Sequence, residues 1–258
     1  MELLIKLVKV KNPKKVLEEN KEVFEELRLY TKGFFVSPFI ELFTFVEILY
    51  YENKPYDIEI NKNISENMKG VLYNGFAVNA VLSKNYSLCL YYCNECRNYL
   101  IKDHNYNRLI FMNLIYFACL NQIGEFKKCF EESRRQLTYL LEVMHNEELL
   151  HATFLHYYTA CIGLNDYAEI IDSISGKEVF TCNDYIFILL ASYSYDKKKY
   201  QKYMSKFLNE KERFSKKHKD YIELIIKVVE GHSRSTLKDL IIKSELNIGL
   251  KEILLKKY

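Results

Sequence analysis

Residues 120–132 read LNQIGEFKKCFEE. An apolar helical end meets a short polar break at Gly124 and Glu125, and an aromatic residue, Phe126, opens the next helix. The same order recurs on both sides of this stretch. It is found in YYENKPYDIEI (50–60, aromatic Tyr56), LSKNYSLCLYYC (82–93, Tyr86), IGLNDYAEIIDSI (162–174, Tyr167) and YSYDKKKYQKYMSKF (193–207, Tyr200). The pattern has a physical reason. The aromatic closes the turn between two antiparallel helices, and three residues later the second helix needs a small side chain where it approaches the first. Cys89 and Cys129 hold that place, whereas Ile170 and Tyr203 fit it poorly. Ala77 and Ala191 hold the matching place on the first helix, from which Phe117 and Tyr158 depart.

Successive aromatics stand 30, 40, 41 and 33 residues apart. These spacings bracket the roughly 34 residues of a tetratricopeptide unit and extend to the roughly 40 of related helical-pair repeats. The chain thus resembles degenerate tetratricopeptide proteins over 68–208. The expectation is an all-α, right-handed solenoid of helical hairpins with terminal capping helices, forming one continuous domain. Residues 1–67 supply N-terminal helices leading into the array, at 14–30 behind Asn12-Pro13 and at 37–51. Residues 209–258 supply capping or dimerisation helices: YIELIIKVVEG stopped by Gly231, then TLKDLIIKS and NIGLKEILLKKY. A repeat array needs such covers because its last unit cannot leave an apolar end exposed.

Composition agrees with helices. Only 8 Gly and 3 Pro occur in 258 residues, too few to supply the turns of an all-β fold. The net charge of +3 is far from that of a dedicated nucleic-acid binder. Seven cysteines, an odd number lying mostly in apolar helical stretches, read as reduced thiols of a cytoplasmic protein. The N-terminal MELLIKLVKVKNP is amphipathic and charged at once, unlike a signal peptide, and no run of 18 apolar residues is present, so no membrane span is expected.

Several spacings invite a chemical reading and lose to a simpler one. Cys89, Cys93 and Cys96 have the C-x₃-C-x₂-C spacing that radical enzymes use for a four-iron cluster. On a helix, however, those positions share one face and read as core thiols. Glu148 and His151 have di-iron spacing without the second copy such sites need. No metal, cofactor or catalytic residue is therefore expected. The basic run Lys211, Arg213, Lys216, Lys217 and Lys219 is interrupted by Glu210 and Glu212 and reads as a solvated corner. The terminal 235–258 has the length of a helix-turn-helix but lacks its small residue and turn glycine.

In the repeat register the first helices turn Asn74, Asn121, Gln122, His156, Thr159, Tyr185, Ser192 and Tyr195 toward the concave side. Amides that both donate and accept suit an extended peptide main chain, and tyrosines add stiff contact area. The segment CNECRNYLIKDHNYNRLIFMNLIYFACLNQIGEFKKCFEESRRQLTYLLE (93–142) and the terminal helices resemble the sensor domains of the peptide-pheromone receptors of Gram-positive bacteria and their phages, the Rap, Rgg, PlcR, NprR and AimR group. That resemblance implies a non-catalytic homodimer that holds a short peptide in its groove and controls transcription directly or through a partner. Most of that group carry an N-terminal DNA-binding domain, and the first sixty residues here show no such signal. DNA contact is thus expected only through a domain outside this chain. The competing reading is a scaffold or inhibitor that docks a folded partner without sensing peptides.

Overall fold

The computed structural model describes residues 66–257 apart from 232, 233, 245 and 247, together with Glu19 and Glu22. Save for those two glutamates, the helices expected at 14–30 and 37–51 and the turn at Tyr56 lie outside the described residues. Among the described residues there are eleven α-helices and no strand. They are α1 (Glu66–Leu82), α2 (Tyr86–Lys102), α3 (Tyr106–Ile123), α4 (Phe126–Tyr139), α5 (Glu147–Leu164) and α6 (Tyr167–Ser175). Then follow α7 (Cys182–Tyr195), α8 (Lys197–Glu210), α9 (Lys216–Val229), α10 (Arg234–Lys243) and α11 (Ile248–Lys257). A π-helical turn, Leu140–Met144, extends α4, and a 3-10 turn, Lys211–Arg213, follows α8. No described helix is long and apolar enough to cross a membrane.

Four connections share one backbone design. Lys84, His104, Gly124 and Asn165 take left-handed φ values of 58, 54, 83 and 59°. The amide of the next residue (Asn85, Asn105, Glu125 or Asp166) reaches back to the carbonyl of Ala80, Leu100, Leu120 or Cys161 at 2.8–2.9 Å. That bond closes a Schellman turn and satisfies a carbonyl the helix end would leave orphaned. Asn85, Asn105 and Asp166 then cap the following helix, their side chains accepting from the amides of Leu88, Arg108 and Glu169. The aromatic comes immediately after, as the first residue of α2, α3, α4 or α6. Tyr86, Phe126 and Tyr167 thus stand where the sequence pattern puts them. Tyr106 belongs to the same set and was missed, so the aromatic marks any helix entered through this turn. Tyr200 departs from the set, because Asp196 caps α8 and makes Tyr200 its fourth residue.

The chain divides into two compact units, Met1–Cys119 and Leu120–Tyr258. In the first, α1 packs on α2. A Cβ on Gly70 would lie 2.8 Å from the Leu100 side chain, so glycine permits that approach. Tyr73 stacks on Tyr99 beside it, with ring centroids 5.4 Å apart. In the second unit α4 packs on α5, α6 on α5 and α7, α8 and α9 on α7, and α10 on α9. Alternate helices also touch, α5 with α7 and α7 with α9, and α11 returns to contact both α10 and α5.

Positions singled out by the repeat are interior. Cys89, Cys129, Ile170 and Tyr203 on second helices are buried, as are Ala77, Phe117, Tyr158 and Ala191 on first helices. Side-chain size varies at these positions while burial does not. In the second unit one apolar cluster runs from Leu137 through α5–α9 to Leu237, Ile241, Leu250 and Leu254 of the terminal helices. Tyrosine hydroxyls that reach its edge are tied to carboxylates: Tyr157 donates to Glu169, Tyr185 to Glu210 at 2.9 Å and Tyr200 to Glu230 at 3.0 Å.

Candidate functional site

The turns that end α3 and α5 build the wall of a cavity. Gly124 and Asn165 carry the two left-handed residues there, and Phe126 enters α4 between them. Its ring lies against Gly163, where an added Cβ would come within 2.4 Å of the ring carbon Cγ. Only glycine leaves room for that contact, and it brings the ends of α3 and α5 together around a space of about 270 Å³. Asn121, Gln122, Asn165 and Glu252 supply its polar groups, with Phe126, Ile162 and Ile253 as apolar walls.

Asn121 is the most constrained of these residues. It is 3% exposed, and its amide nitrogen donates to the backbone oxygen of His156 at 3.1 Å. Its side-chain oxygen is buried and accepts no hydrogen bond. A buried acceptor left in this way is uncommon and calls for an explanation. Nearby, burial pushes the Cys129 thiol up to about 12, and burial holds the His156 imidazole down to about 4. At neutral pH the thiol is therefore protonated and the imidazole neutral. What remains in the cavity is a hydrogen-bonding set of amides with one carboxylate, suited to pairing with the N–H and C=O groups of a ligand.

A second cavity, about 380 Å³, opens where the N-terminal parts of α5, α7 and α9 face one another. His151 of α5, Asn183 of α7, and His218 and Tyr221 of α9 line it over a floor of Leu155, Ile186, Phe187 and Leu250. Cys182 also borders it, its thiol pushed up to about 11 by burial and directed at the His218 carbonyl at 3.8 Å. Sequence reasoning did not assemble this group. The available signal was polar residues in the first turns of successive first helices, which the concave-face register passed over.

The structure sorts the eight expected groove residues. Asn121 and Gln122 line the smaller cavity, and His156 is buried behind it with its carbonyl on Asn121. Three others are not on an open groove. Thr159 and Ser192 are fully buried and donate to the carbonyls of Leu155 and Ile188, four residues back on their own helices. Tyr185 is enclosed by Phe180, Phe207 and Phe214. These three depart from the concave-face assignment because they lie in the stretches 156–162 of α5 and 184–192 of α7, where every residue is buried. Tyr195 is 56% exposed at the end of α7, with the Lys199 ammonium 5.6 Å from its ring centroid. Asn74 is half-buried on α1 and belongs to the first unit.

Other spacings resolve as packing. Cys89, Cys93 and Cys96 are buried on α2, with the first two sulfurs 3.9 Å apart. Among the described residues no three His, Cys, Asp or Glu side chains are placed to hold a metal. In the basic run Arg213 pairs with Glu210 at 2.6 Å and Lys219 with Glu212 at 2.8 Å. The terminal α11 buries its apolar stripe in the common core. No protein-family profile matches the chain, and no curated protein or solved structure compared with it does either.

Proposed function

We propose that this chain is a non-catalytic binding protein: a tetratricopeptide-like solenoid whose first-helix face takes a short peptide, serving as a cytoplasmic, peptide-responsive regulator of transcription. The solenoid reading draws support from the repeated turn and from contacts between alternate helices. The binding reading rests on one observation above the others. Asn121, Gln122, Asn165 and Glu252 converge on one cavity. These amides and the carboxylate are chemically suited to pair with the N–H and C=O groups of a peptide main chain. At about 270 Å³ the cavity lies just below the usual size of a drug-like ligand site, which fits one end or one residue of a peptide.

A scaffold that docks a folded partner is the second reading. It is favoured by Leu141 and Val143, exposed on the π-helical turn beside an exposed Tyr139. Panning a displayed library of short random peptides against the full chain separates the two. The peptide reading expects enriched sequences whose affinity falls about ten- to hundred-fold on Asn165→Gly or Glu252→Gln, as about 1–3 kcal/mol of lost pairing implies. Glycine keeps the left-handed turn at 165, so the fold should survive. No enrichment, or binding indifferent to both substitutions, turns the balance to the scaffold.

A further inference from the structure

The smaller cavity has an electrostatic character that its amides alone do not give it. Helices α3 and α5, 18 residues each, both end on it: Asn121 and Gln122 come from the last turn of one, Ile162 and Gly163 from the last turn of the other. A helix carries about half a negative elementary charge at its C-terminus, where the last carbonyls have no partner within the helix. The turns take back the carbonyls of Leu120, Cys161 and Ile162, and both dipole ends stay at the cavity. The N-terminal ends of α4 and α6 start from the same turns, but an acidic residue, Glu125 or Asp166, stands at the cap of each and offsets the positive end.

Glu252 adds a full charge to the same space. Among the described residues it is the one charged side chain lining the cavity, and it is half-buried with no hydrogen bond or ion pair. Lys127 and Lys128, next along α4, are exposed and do not line it. A carboxylate and two negative dipole ends around one half-open cleft repel an anion and hold a cation. Phe126, Ile162 and Ile253 supply apolar walls, so a cation that fits there brings apolar surface with it. The oxygen of Asn165 already accepts from the Tyr167 hydroxyl at 2.8 Å, so what it offers a ligand is its NH2 group, a donor for a carbonyl.

We propose that this cavity takes the free N-terminus of the peptide, its α-ammonium paired with Glu252 and a first side chain such as Leu, Ile or Met set among Phe126, Ile162 and Ile253. This rests on the reading of the cavity as a peptide site, and it adds which end of the peptide enters. A terminal residue is the unit of a peptide that joins a cation, an apolar side chain and a carbonyl in a space of about 270 Å³. A lysine within the sequence shares the ammonium, but carries it at the tip of a long stem, away from the carbonyl that Asn165 receives. The open side of the cleft lets the rest of the peptide leave, and α11, with Leu250 and Leu254 held in the core, stays in place.

The test screens the full chain against random hexapeptides anchored to beads by their C-termini, once with free N-termini and once N-acetylated. Binders with Leu, Ile or Met in first place are expected from the free library. Acetylating such a binder should weaken it about tenfold or more, as loss of a hydrogen bond between charged groups implies. On Glu252→Gln the free and acetylated forms should bind alike, with the thermal melt unchanged. Equal binding of the two forms to the wild-type chain overturns the proposal, and that comparison needs no variant to fold. Binders from the acetylated library that depend on an internal lysine overturn it too, because the ammonium then has another source. If peptides of either kind remain sensitive to Asn165→Gly, the peptide reading stands without this inference. If neither library yields a binder, both fall together.

Discussion

His156 shows what burial does to a single group. Its imidazole is held at about 4, below the ordinary 6.5, because the charged form has lost its water. As pH falls through about 6.5 the unfolded chain takes up a proton, and the folded chain does so only near pH 4. The unfolded state thus binds more protons across that window, so stability is intact above it and falls with pH within it. Between pH 7 and pH 4.5 the loss from this residue alone is on the order of 2 kcal/mol. Urea denaturation at the two pH values should show that His156→Gln narrows the difference by this amount, and an unchanged difference would assign the titration to another group. Residues of this kind were only partly legible in the sequence. His156 and Asn121 were read as groove residues from their register, yet both are buried and bonded to each other through Asn121 Nδ2 and the His156 carbonyl. Thr159 and Ser192 mislead for a definite reason: a hydroxyl that bonds the carbonyl four residues back can be buried without any outside partner. Periodicity does not distinguish that case from a polar residue on a surface.

The turns carry the most information among the elements. Each repeats a left-handed residue, a cap and an aromatic, and the sequence shows the last two plainly in Asn85-Tyr86, Asn105-Tyr106 and Asp166-Tyr167. The left-handed position was harder to read, because Lys84 and His104 fill it where glycine would be the expected residue. This gives a prediction with opposite signs at one site. His104→Gly relieves the left-handed strain and should change stability by between zero and about +1 kcal/mol, after the extra chain entropy of glycine is deducted. His104→Val places a branched side chain in the same region and should cost about 1–2 kcal/mol. Chemical denaturation of the pair checks the turn geometry directly, and equal effects would contradict a left-handed residue there.

Among the described residues, helical content was readable because it depends on contacts between near neighbours in sequence. The packing of α11 on α5 was not. It joins segments about a hundred residues apart, and no local periodicity records where a terminal helix comes to rest. That contact covers part of α5, and the terminal segment borders both cavities. The central claim is that this face, within Leu120–Tyr258, is where a peptide binds. Hydrogen exchange of the full chain, measured with and without a peptide enriched by panning, addresses it most directly. The account predicts slowed exchange at 121–126 and in the C-terminal turns of α5. Slowed exchange confined to α4 and α8 would contradict it.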